Sequence, residues 1–347
     1  MGDAETDDFG FMREALALAR RGLGRTAPNP PVGAVVVADK KIIGRGWHRA
    51  AGMPHAEREA LADAAATHGH RSLIGATVYI SLEPCSTHGR TPPCTRGLIE
   101  AGVRRVVYAC ADPNPNHAGR ADSELIAAGI EVDSGILRSE AEILLRPFSK
   151  VQNTGLPWVI WKSAMSLDGR LTRPPGEGQW LSSSASRADV QVLRSQVDAI
   201  LTSGATVRKD RPSLTIREPS LLVGRQQPWR VVFTDHPESL PADCPLMCDD
   251  YRHRTLVRPG TDLAESLRRL VQEQGVLSCM TEAGGIFSAA LFEADLVDEV
   301  VVYHAPLICG GPTPALAGNG LPQSLSLGDA EFERIGSDIR TRAVVLR

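Results

Sequence analysis

Apolar and polar positions alternate along the first half of the chain in short blocks, whose period switches between that of a helix and that of a strand. Residues 11–23 (FMREALALARRGL) carry apolar side chains at helical spacing, and residues 32–47 predict a hairpin with its turn near Asp39 and Lys40. Further strand and helix patterns follow in alternation up to about residue 152. Short units of this kind predict an α/β layer fold.

This pattern is interrupted once and then restarts. Residues 150–157 (KVQNTGLP) combine Asn, Gly and Pro between two periodic segments, which is typical of a linker. We therefore predict two domains, residues 1–152 and 153–347. The second half again alternates apolar strand patterns with amphipathic helix patterns and closes with the strand pattern RTRAVVLR, so we expect a second α/β domain.

Composition and charge narrow the class of protein. The 347 residues are 42% hydrophobic and 23% charged, as in soluble globular proteins, and no apolar run approaches the roughly 18 residues of a membrane span. The N-terminus is acidic where a secretory signal would be basic and then apolar, so a cytoplasmic location is expected. The net charge of −3 and the lack of a basic run argue against nucleic acid and favour a small-molecule substrate. The oligomeric state stays open, a homo-oligomer included.

The seven cysteines do not indicate a disulfide framework, because they are odd in number, thinly spread and not preceded by a signal-peptide pattern. Cys85 and Cys94 flank a loop rich in Gly, Pro, His and Arg, and they are either metal ligands or inert thiols. A second metal at Cys244 and Cys248 is disfavoured, since no paired His or Cys lies near them in sequence.

A metal site is favoured by His55 and Glu57, at the start of a predicted helix. His55, Cys85 and Cys94 offer the imidazole and thiolate ligands that zinc prefers, and three protein ligands are typical of catalytic zinc. The order H-x-E followed by P-C is the signature of zinc deaminases. In such enzymes zinc lowers the pKa of a bound water to about 7, and the Glu carries a proton to the departing amine. A purely structural zinc is the alternative; it would normally need a fourth ligand, for which His88 is the only candidate nearby.

Four segments closely resemble, in this order, the deaminase domain of the bifunctional riboflavin-biosynthesis family usually called RibD or RibG: APNPPVGAVVV, PHAEREAL, LEPCSTHGRTPPC and ADPNP. The second half is similar to the reductase domain of that family through WKSAMSLDGR, GEGQW, AILTSGATVRKDRPSLTIR, TEAGG and LVDEVVVYHAP. The resemblance runs from about residue 10 to the C-terminus. Its most specific element is the eight-residue insert between Cys85 and Cys94, because base and nucleoside deaminases usually have two residues there.

The resemblance implies a fold and a chemistry for each half. The fold would be a cytidine-deaminase-like three-layer α/β/α domain followed by a dihydrofolate-reductase-like α/β domain. The first would hydrolytically deaminate 2,5-diamino-6-ribosylamino-4(3H)-pyrimidinone 5′-phosphate, and the second would reduce the ribosyl group to ribityl. The implied cofactors are one Zn²⁺ in the deaminase domain and NADPH in the reductase domain.

The resemblance also implies roles by position. The zinc ligands would be His55, Cys85 and Cys94, with Glu57 as the proton shuttle, and Lys162 would support catalysis of the reduction. The residues implied to contact the substrate are Asn29, His48, His88, Arg90, Gly178, Arg194, Leu214, Arg217 and Glu282. The residues implied to contact the nicotinamide cofactor are Ala164, Trp180, Thr206, Asp210, Asp235, Gly284 and Gly285.

Departures from the family pattern affect mainly the cofactor contacts. Thr87 stands where the family usually has a second His, EAGGI where it has EGGP, and Asp210, Arg211 and Pro212 where it has an acidic pair with Pro. Two alternatives remain. One is a nucleoside or tRNA-base deaminase with a non-catalytic second domain, against which the long insert argues. The other is a zinc-stabilised binding protein without turnover, against which the presence of Glu57 argues.

Overall fold

The structure is a computed structural model of the chain. It describes residues 3–87, 92–114, 119–178, 180–318, 320–321 and 323–347. Two residues with predicted substrate contacts, His88 and Arg90, lie outside these ranges. The chain divides into two compact units, Met1–Gly155 and Leu156–Arg347.

The first unit is a five-stranded sheet between two layers of helices. Its strands are β1 (Gly33–Ala38), β2 (Lys41–Trp47), β3 (Thr77–Ile80), β4 (Arg105–Tyr108) and β5 (Glu131–Ser134). Its helices are α1 (Asp3–Arg20), α2 (Ala56–His68), α3 (Cys94–Glu100), α4 (Arg120–Ala127) and α5 (Arg138–Thr154). The strand order is β2-β1-β3-β4-β5, in which β1 is antiparallel to both neighbours and β3, β4 and β5 are parallel.

Both faces of this sheet are covered by apolar cores. Val36 lies in one core with Ala60 of α2 and Leu98 of α3. Its neighbour Val35 lies in the other core with Ala15 of α1. Alternate side chains of a strand point to opposite faces, so β1 serves both cores. The predicted three-layer α/β/α fold is confirmed.

Helix α2 lies close enough to β2 to require a glycine. A Cβ atom on Gly46 would lie 2.2 Å from the carbonyl oxygen of Ala56 and 2.3 Å from the backbone nitrogen of Ala60. No other residue fits there without a shift of the helix. Because Ala56 is the first residue of α2, this contact fixes the start of the helix and with it His55, the residue just before.

The second unit is built on an eight-stranded sheet, as the predicted α/β class requires. Its strands are β6 (Trp158–Ser166), β7 (Ala199–Ser203), β8 (Trp229–Phe233), β9 (Thr255–Arg258), β10 (Ser278–Thr281), β11 (Glu299–Ala305), β12 (Leu327–Ile335) and β13 (Asp338–Val345). Its helices are α6 (Ser184–Gln196), α7 (Gly204–Asp210), α8 (Pro245–Cys248), α9 (Leu263–Gln274) and α10 (Gly285–Glu293). None of the described helices in either unit is long and apolar enough to cross a lipid bilayer.

The strand order of the second sheet is β12-β13-β11-β6-β10-β7-β8-β9. The strands from β11 to β9 run parallel, and β12 and β13 form an antiparallel hairpin at one edge. Carboxyl ends of parallel strands lie at one edge of a sheet, where open α/β folds bind their ligands. A ligand-binding site of the second unit is therefore expected at that edge.

The sequence patterns locate most elements, with differences at their ends. Asp39 and Lys40 have φ angles of 48° and 58°, the two positive values of a type I′ turn, so the predicted hairpin is confirmed. Helix α1 begins earlier than the pattern at 11–23 predicts. Helix α5 continues through Thr154, into the stretch predicted as a linker, and ends at Gly155, whose left-handed conformation is typical of a helix end.

Candidate active sites

A cluster of one imidazole and two thiols lies at the carboxyl end of β3 in the first unit. His55 directly precedes α2, Cys94 is the first residue of α3, and Cys85 follows β3. The Nδ1 atom of His55 lies 3.3 Å from the Sγ of Cys94 and 3.6 Å from the Sγ of Cys85. All three ligand atoms lie within 4.8 Å of one another. The structure thus brings the three predicted ligands together.

This set of donors fits zinc. Zn–S bonds of about 2.3 Å and Zn–N bonds of about 2.0–2.1 Å place the sulfur and nitrogen atoms of a tetrahedral centre roughly 3.6 Å apart, close to the distances just given. Hydrogen bonds from the Cys94 thiol and from His55 lower the pKa of Cys85 to about 4, which favours the thiolate that binds metal. Among the described residues no fourth His, Cys, Asp or Glu joins the cluster, and His88 lies outside them.

Glu57 lies beside the cluster in the first turn of α2. It is only 3% exposed, and its Oε2 atom has no hydrogen-bond partner among the residues that the structure describes. Burial raises the pKa of Glu57, and the neighbouring charge of Cys85 adds to this effect. A buried carboxyl oxygen without a partner is costly, and such atoms are found at catalytic positions. Glu57 thus lies next to the three ligand atoms without being one of them, and its role as the proton shuttle stays a prediction.

Two of the predicted substrate residues are joined to this cluster. The ring of His48 packs edge-to-face on that of His55, with the centroids 5.3 Å apart. Its Nε2 lies 2.9 Å from the Nδ2 of Asn29, and its Nδ1 lies 3.1 Å from the carbonyl oxygen of Pro54. Both contacts are hydrogen bonds when Nδ1 carries the proton and Nε2 accepts. Burial lowers the pKa of His48, which favours this neutral form.

Glu83, two residues before Cys85, is a further buried carboxylate near the cluster that the sequence motifs did not indicate. Its carboxylate is buried and accepts the backbone N–H groups of Asp112, at 3.1 Å, and of Ala121, at 3.4 Å. These bonds tie the segment after β4 and the first turn of α4 to the segment after β3 that carries Cys85. An ionisable residue directly after an apolar strand, as in LEPC, was the available signal.

In the second unit most of the predicted reductase residues gather at the carboxyl edge of the parallel strands. Two lie on β6 and the others directly follow β7, β8 and β10 or begin the next helix. These residues are Lys162, Ala164, Thr206, Asp235, Glu282, Gly284 and Gly285. Their sequence separation is large, so it is the parallel topology that brings them to one edge.

Three charged side chains meet at this edge. The carboxylate of Glu282 accepts hydrogen bonds from the Nε and Nη2 atoms of Arg194 at 2.7 and 2.9 Å, and the Nζ of Lys162 lies 3.9 Å from it. Burial alone would raise the pKa of Glu282, but the charges of Arg194 and Lys162 hold it at about 2. Burial lowers the pKa of Lys162, and the attraction of Glu282 at that distance does not offset the loss of water.

The two predicted cofactor glycines differ in their surroundings. The backbone N–H of Gly284 donates to the Oγ1 of Thr206 at 3.2 Å. A Cβ atom on Gly284 would meet only that oxygen, at 4.0 Å, whereas on Gly285 it would lie 2.4 Å from the carbonyl oxygen of Pro314. Gly285 is therefore required by the packing of α10. Gly284 leaves space in front of the helix N-terminus, as the close approach of a pyrophosphate needs.

The other predicted reductase residues differ in burial and in the groups that they contact. The side chain of Leu214 is 3% exposed within the core, so only its main chain could meet a ligand. The ring of Trp180 is 55% exposed and lies under the guanidinium of Arg187, 5.2 Å from the ring centroid. Asp235 accepts the backbone N–H of Gly260 at 2.9 Å. The exposed positions are Gly178, Trp180, Asp210, Arg217 and Asp235.

Comparisons with known families match both units. Residues 5–110 match the family model described as the cytidine and deoxycytidylate deaminase zinc-binding region, and residues 157–341 match the RibD C-terminal domain. The riboflavin biosynthesis protein RibD of Escherichia coli is 42% identical to this chain, in an alignment that covers 95% of this chain and 97% of that protein. RibD of Haemophilus influenzae is 37% identical and covers 98% of each chain.

Solved structures of similar proteins match the whole chain as well. RibD of Acinetobacter baumannii superposes with a TM-score of 0.88 at 34% identity and covers 99% of this chain and 100% of its own. A Thermotoga maritima diaminohydroxyphosphoribosylaminopyrimidine deaminase/5-amino-6-(5-phosphoribosylamino)uracil reductase has a TM-score of 0.85 at 31% identity, with the same coverage. The zinc-binding description agrees with the donor set of His55, Cys85 and Cys94. The chain therefore belongs to the RibD family of riboflavin biosynthesis proteins.

Proposed function

We propose that this chain carries out two consecutive steps of riboflavin biosynthesis, a hydrolytic deamination in the first unit and a reduction in the second. The first substrate is 2,5-diamino-6-ribosylamino-4(3H)-pyrimidinone 5′-phosphate. The final product is 5-amino-6-ribitylamino-uracil 5′-phosphate, and the reductant is NADPH. The observation that carries the proposal is the unpartnered, buried Oε2 atom of Glu57 beside the cluster of His55, Cys85 and Cys94.

In the deamination, Glu57 moves the proton. Zinc held by His55, Cys85 and Cys94 would supply a Lewis acid that makes a bound water nucleophilic towards the ring carbon. A C–O bond forms, the C–N bond breaks, and Glu57 carries the proton from the water to the departing amine, which leaves as ammonia. The buried position of Glu57 keeps bulk water from competing for this proton.

Asn29 and His48 orient the pyrimidine. Because the amide nitrogen of Asn29 is engaged by the Nε2 of His48, its Oδ1 is the atom that we assign to an N–H group of the substrate. The bond from His48 to the carbonyl oxygen of Pro54 holds the imidazole in place. His88 and Arg90 suit the phosphate by charge and hydrogen bonding, and their contact stays a prediction.

In the reduction, Lys162 supplies the proton. Conversion of ribosyl to ribityl adds two hydrogens, and the nicotinamide cofactor supplies one of them as a hydride equivalent. The Nζ of Lys162 lies at the carboxyl edge of the sheet, and Glu282 keeps that ammonium in place from 3.9 Å. We assign the proton that reaches the sugar oxygen to this group. Arg217 meets the substrate phosphate, and the space before Gly284 takes the cofactor pyrophosphate.

A homo-oligomer of this cytoplasmic enzyme is part of the proposal, supported by the hairpin at the sheet edge. On the edge strand β12 the side chains of Phe332 and Leu327 are 72% and 46% exposed. Apolar side chains on an edge strand favour pairing with another strand. Light scattering of the purified protein measures the state, and a monomer would contradict this part.

Mass spectrometry tests the two activities together. The purified, zinc-loaded protein is incubated with the phosphorylated diaminopyrimidine, with and without NADPH. We expect exchange of one amine for an oxygen without the cofactor and two further hydrogens with it. Deamination without subsequent reduction would contradict the reductase assignment, and no reaction at all would favour a binding protein that has kept the fold.

A further inference from the structure

One buried segment of the second unit has no regular secondary structure. Residues 211–218 belong to no helix or strand, yet Leu214, Thr215 and Ile216 are buried, with 3%, 7% and 2% of their surface exposed. Buried peptide groups need hydrogen-bond partners, and outside a helix or sheet these come from side chains, from other backbone groups or from ordered water. The segment leads into Arg217, which is exposed and carries the charge assigned above to the substrate phosphate.

Two buried glutamines supply several of these partners. Gln227 accepts the backbone N–H of Ile216 with its Oε1 at 2.7 Å and donates its Nε2 to the carbonyl oxygen of the same residue at 2.9 Å. A single amide thus makes both hydrogen bonds that a neighbouring strand would make. Gln191, on α6, accepts the backbone N–H of Arg217 with its Oε1 at 2.7 Å. Gln227 is 4% and Gln191 is 8% exposed.

Two arginines hold the beginning of the segment. Arg194 donates its Nη1 to the carbonyl oxygen of Thr215 at 2.6 Å. Arg230 is fully buried and donates to the carbonyl oxygen of Ser213 at 3.0 Å, while Asp249 accepts two further hydrogen bonds from it. Since Arg194 also binds Glu282, the segment and the charged cluster share one side chain.

We propose that Gln191 and Gln227 are positioning residues of the reductase, which fix where the guanidinium of Arg217 meets the 5′-phosphate. Both act through the backbone of residues 216 and 217, and neither is assigned a contact with substrate. Burial lowers the pKa of Arg217, the positive charge of Arg194 adds to this effect, and the negative charge of Glu282 opposes it. A shift of the backbone would therefore move Arg217 relative to the groups that flank the sugar. The inference rests on the proposed phosphate contact of Arg217.

The test uses the full-length, zinc-loaded protein and the variants Gln227→Leu and Gln191→Leu, which remove the hydrogen bonds at similar side-chain size. Reduction is measured at saturating NADPH with the phosphorylated substrate and with the same compound lacking its 5′-phosphate. We expect KM for the phosphorylated substrate to rise about 10-fold, from the loss of one or two buried hydrogen bonds, with a smaller change in kcat. KM for the compound without phosphate and KM for NADPH should not change.

A mutant cycle separates this role from a general loss of structure. Arg217→Ala combined with Gln227→Leu should have the KM of Arg217→Ala alone, since the two changes act on one interaction. Gln272→Leu, at an exposed position of α9, is the matched control and should behave as wild type. Gln191→Leu breaks a single bond and serves if Gln227→Leu does not fold.

The outcomes distinguish this inference from the proposed function. A raised KM in Arg217→Ala with an unchanged KM in both glutamine variants would overturn the positioning role alone. Equal losses with both substrates would also overturn it, because they indicate general damage to the unit. An unchanged KM in Arg217→Ala would overturn the phosphate contact that the proposed function assigns to that residue.

Discussion

The carboxylate of Glu282 accepts two hydrogen bonds from the guanidinium of Arg194, at 2.7 and 2.9 Å. The side chains are 15% and 8% exposed, so water screens this pair little. A second cation, Lys162, lies 3.9 Å from the same carboxylate. One buried anion therefore neutralises two buried cations, and its loss would remove the negative charge that both of them contact.

Replacement of Glu282 by Gln should change how the stability of the second unit depends on pH. The pKa of Glu282 is about 2 in the folded protein against an ordinary value of 4.5, so its ionised form stabilises the fold above pH 4.5. That contribution is lost as the pH falls from 4.5 towards 2. We expect Glu282→Gln to lower the free energy of unfolding by about 3–5 kcal/mol at neutral pH and to flatten this acid dependence.

Urea denaturation followed by tryptophan fluorescence measures the effect, since Trp158 and Trp161 lie on β6. Glu331→Gln, at an exposed position of β12, is the matched control and should unfold as wild type does. An acid dependence in Glu282→Gln identical to that of wild type would rule out this account of the cluster.

Replacement of Lys162 by Met should slow the reduction alone. The methionine fills a similar volume but cannot hold a proton, so we expect kcat of the reductase to fall by about 100-fold or more. KM for NADPH and the rate of deamination should stay at wild-type values, and the deamination serves as the internal control. Stopped-flow measurement of NADPH oxidation gives the rate. A wild-type rate would remove Lys162 from the mechanism.

Replacement of Glu57 by Gln should separate metal binding from catalysis. The amide keeps the shape of the side chain and leaves the three ligands untouched, so zinc should stay bound while ammonia release falls by about 100-fold or more. Elemental analysis and an ammonia assay measure the two quantities. Glu59→Gln is the control two residues further along the same helix, where Glu59 binds Arg49 at 2.8 Å. Loss of zinc from Glu57→Gln would mean that this carboxylate is a ligand.

The two glycines at the start of α10 offer a matched pair of alanine variants. Gly285→Ala places a methyl group 2.4 Å from the carbonyl oxygen of Pro314 and should destabilise the second unit by about 1–3 kcal/mol. Gly284→Ala meets no protein atom closer than 4.0 Å and should melt at the wild-type temperature. Because the added methyl group occupies the space assigned to the pyrophosphate, Gly284→Ala should raise KM for NADPH about 10-fold. Unchanged cofactor binding would place the pyrophosphate elsewhere.

The zinc site could be predicted from sequence because its chemistry is local. His55 and Glu57 stand two residues apart at a helix start, and Cys85 directly follows Pro84 after an apolar strand. Few functions need those residue types in that order. The fold class could be predicted for a related reason, since the buried strands of both sheets are apolar runs with clear limits.

The rest depends on contacts between distant parts of the chain. The resemblance implies that Arg194 meets the substrate, and this stays a prediction. Only the fold shows that its guanidinium also binds Glu282 and the carbonyl oxygen of Thr215. The exposed edge strand β12 has the sequence LGDAEFERI. Because apolar and polar residues do not alternate regularly in it, the sequence pattern does not predict this strand. The roles of Gln191 and Gln227 likewise appear only once the segment beside them is folded.

Residues 211–218, which Gln191 and Gln227 hold by hydrogen bonds, lack regular secondary structure but are not therefore mobile. Their peptide groups lie in no helix or strand, so a map of secondary structure classes them with the surface loops. Yet the N–H groups of Ile216 and Arg217 are bonded to buried amides. In deuterated water these two protons would exchange only when the unit opens, at the slow rate of its central strands.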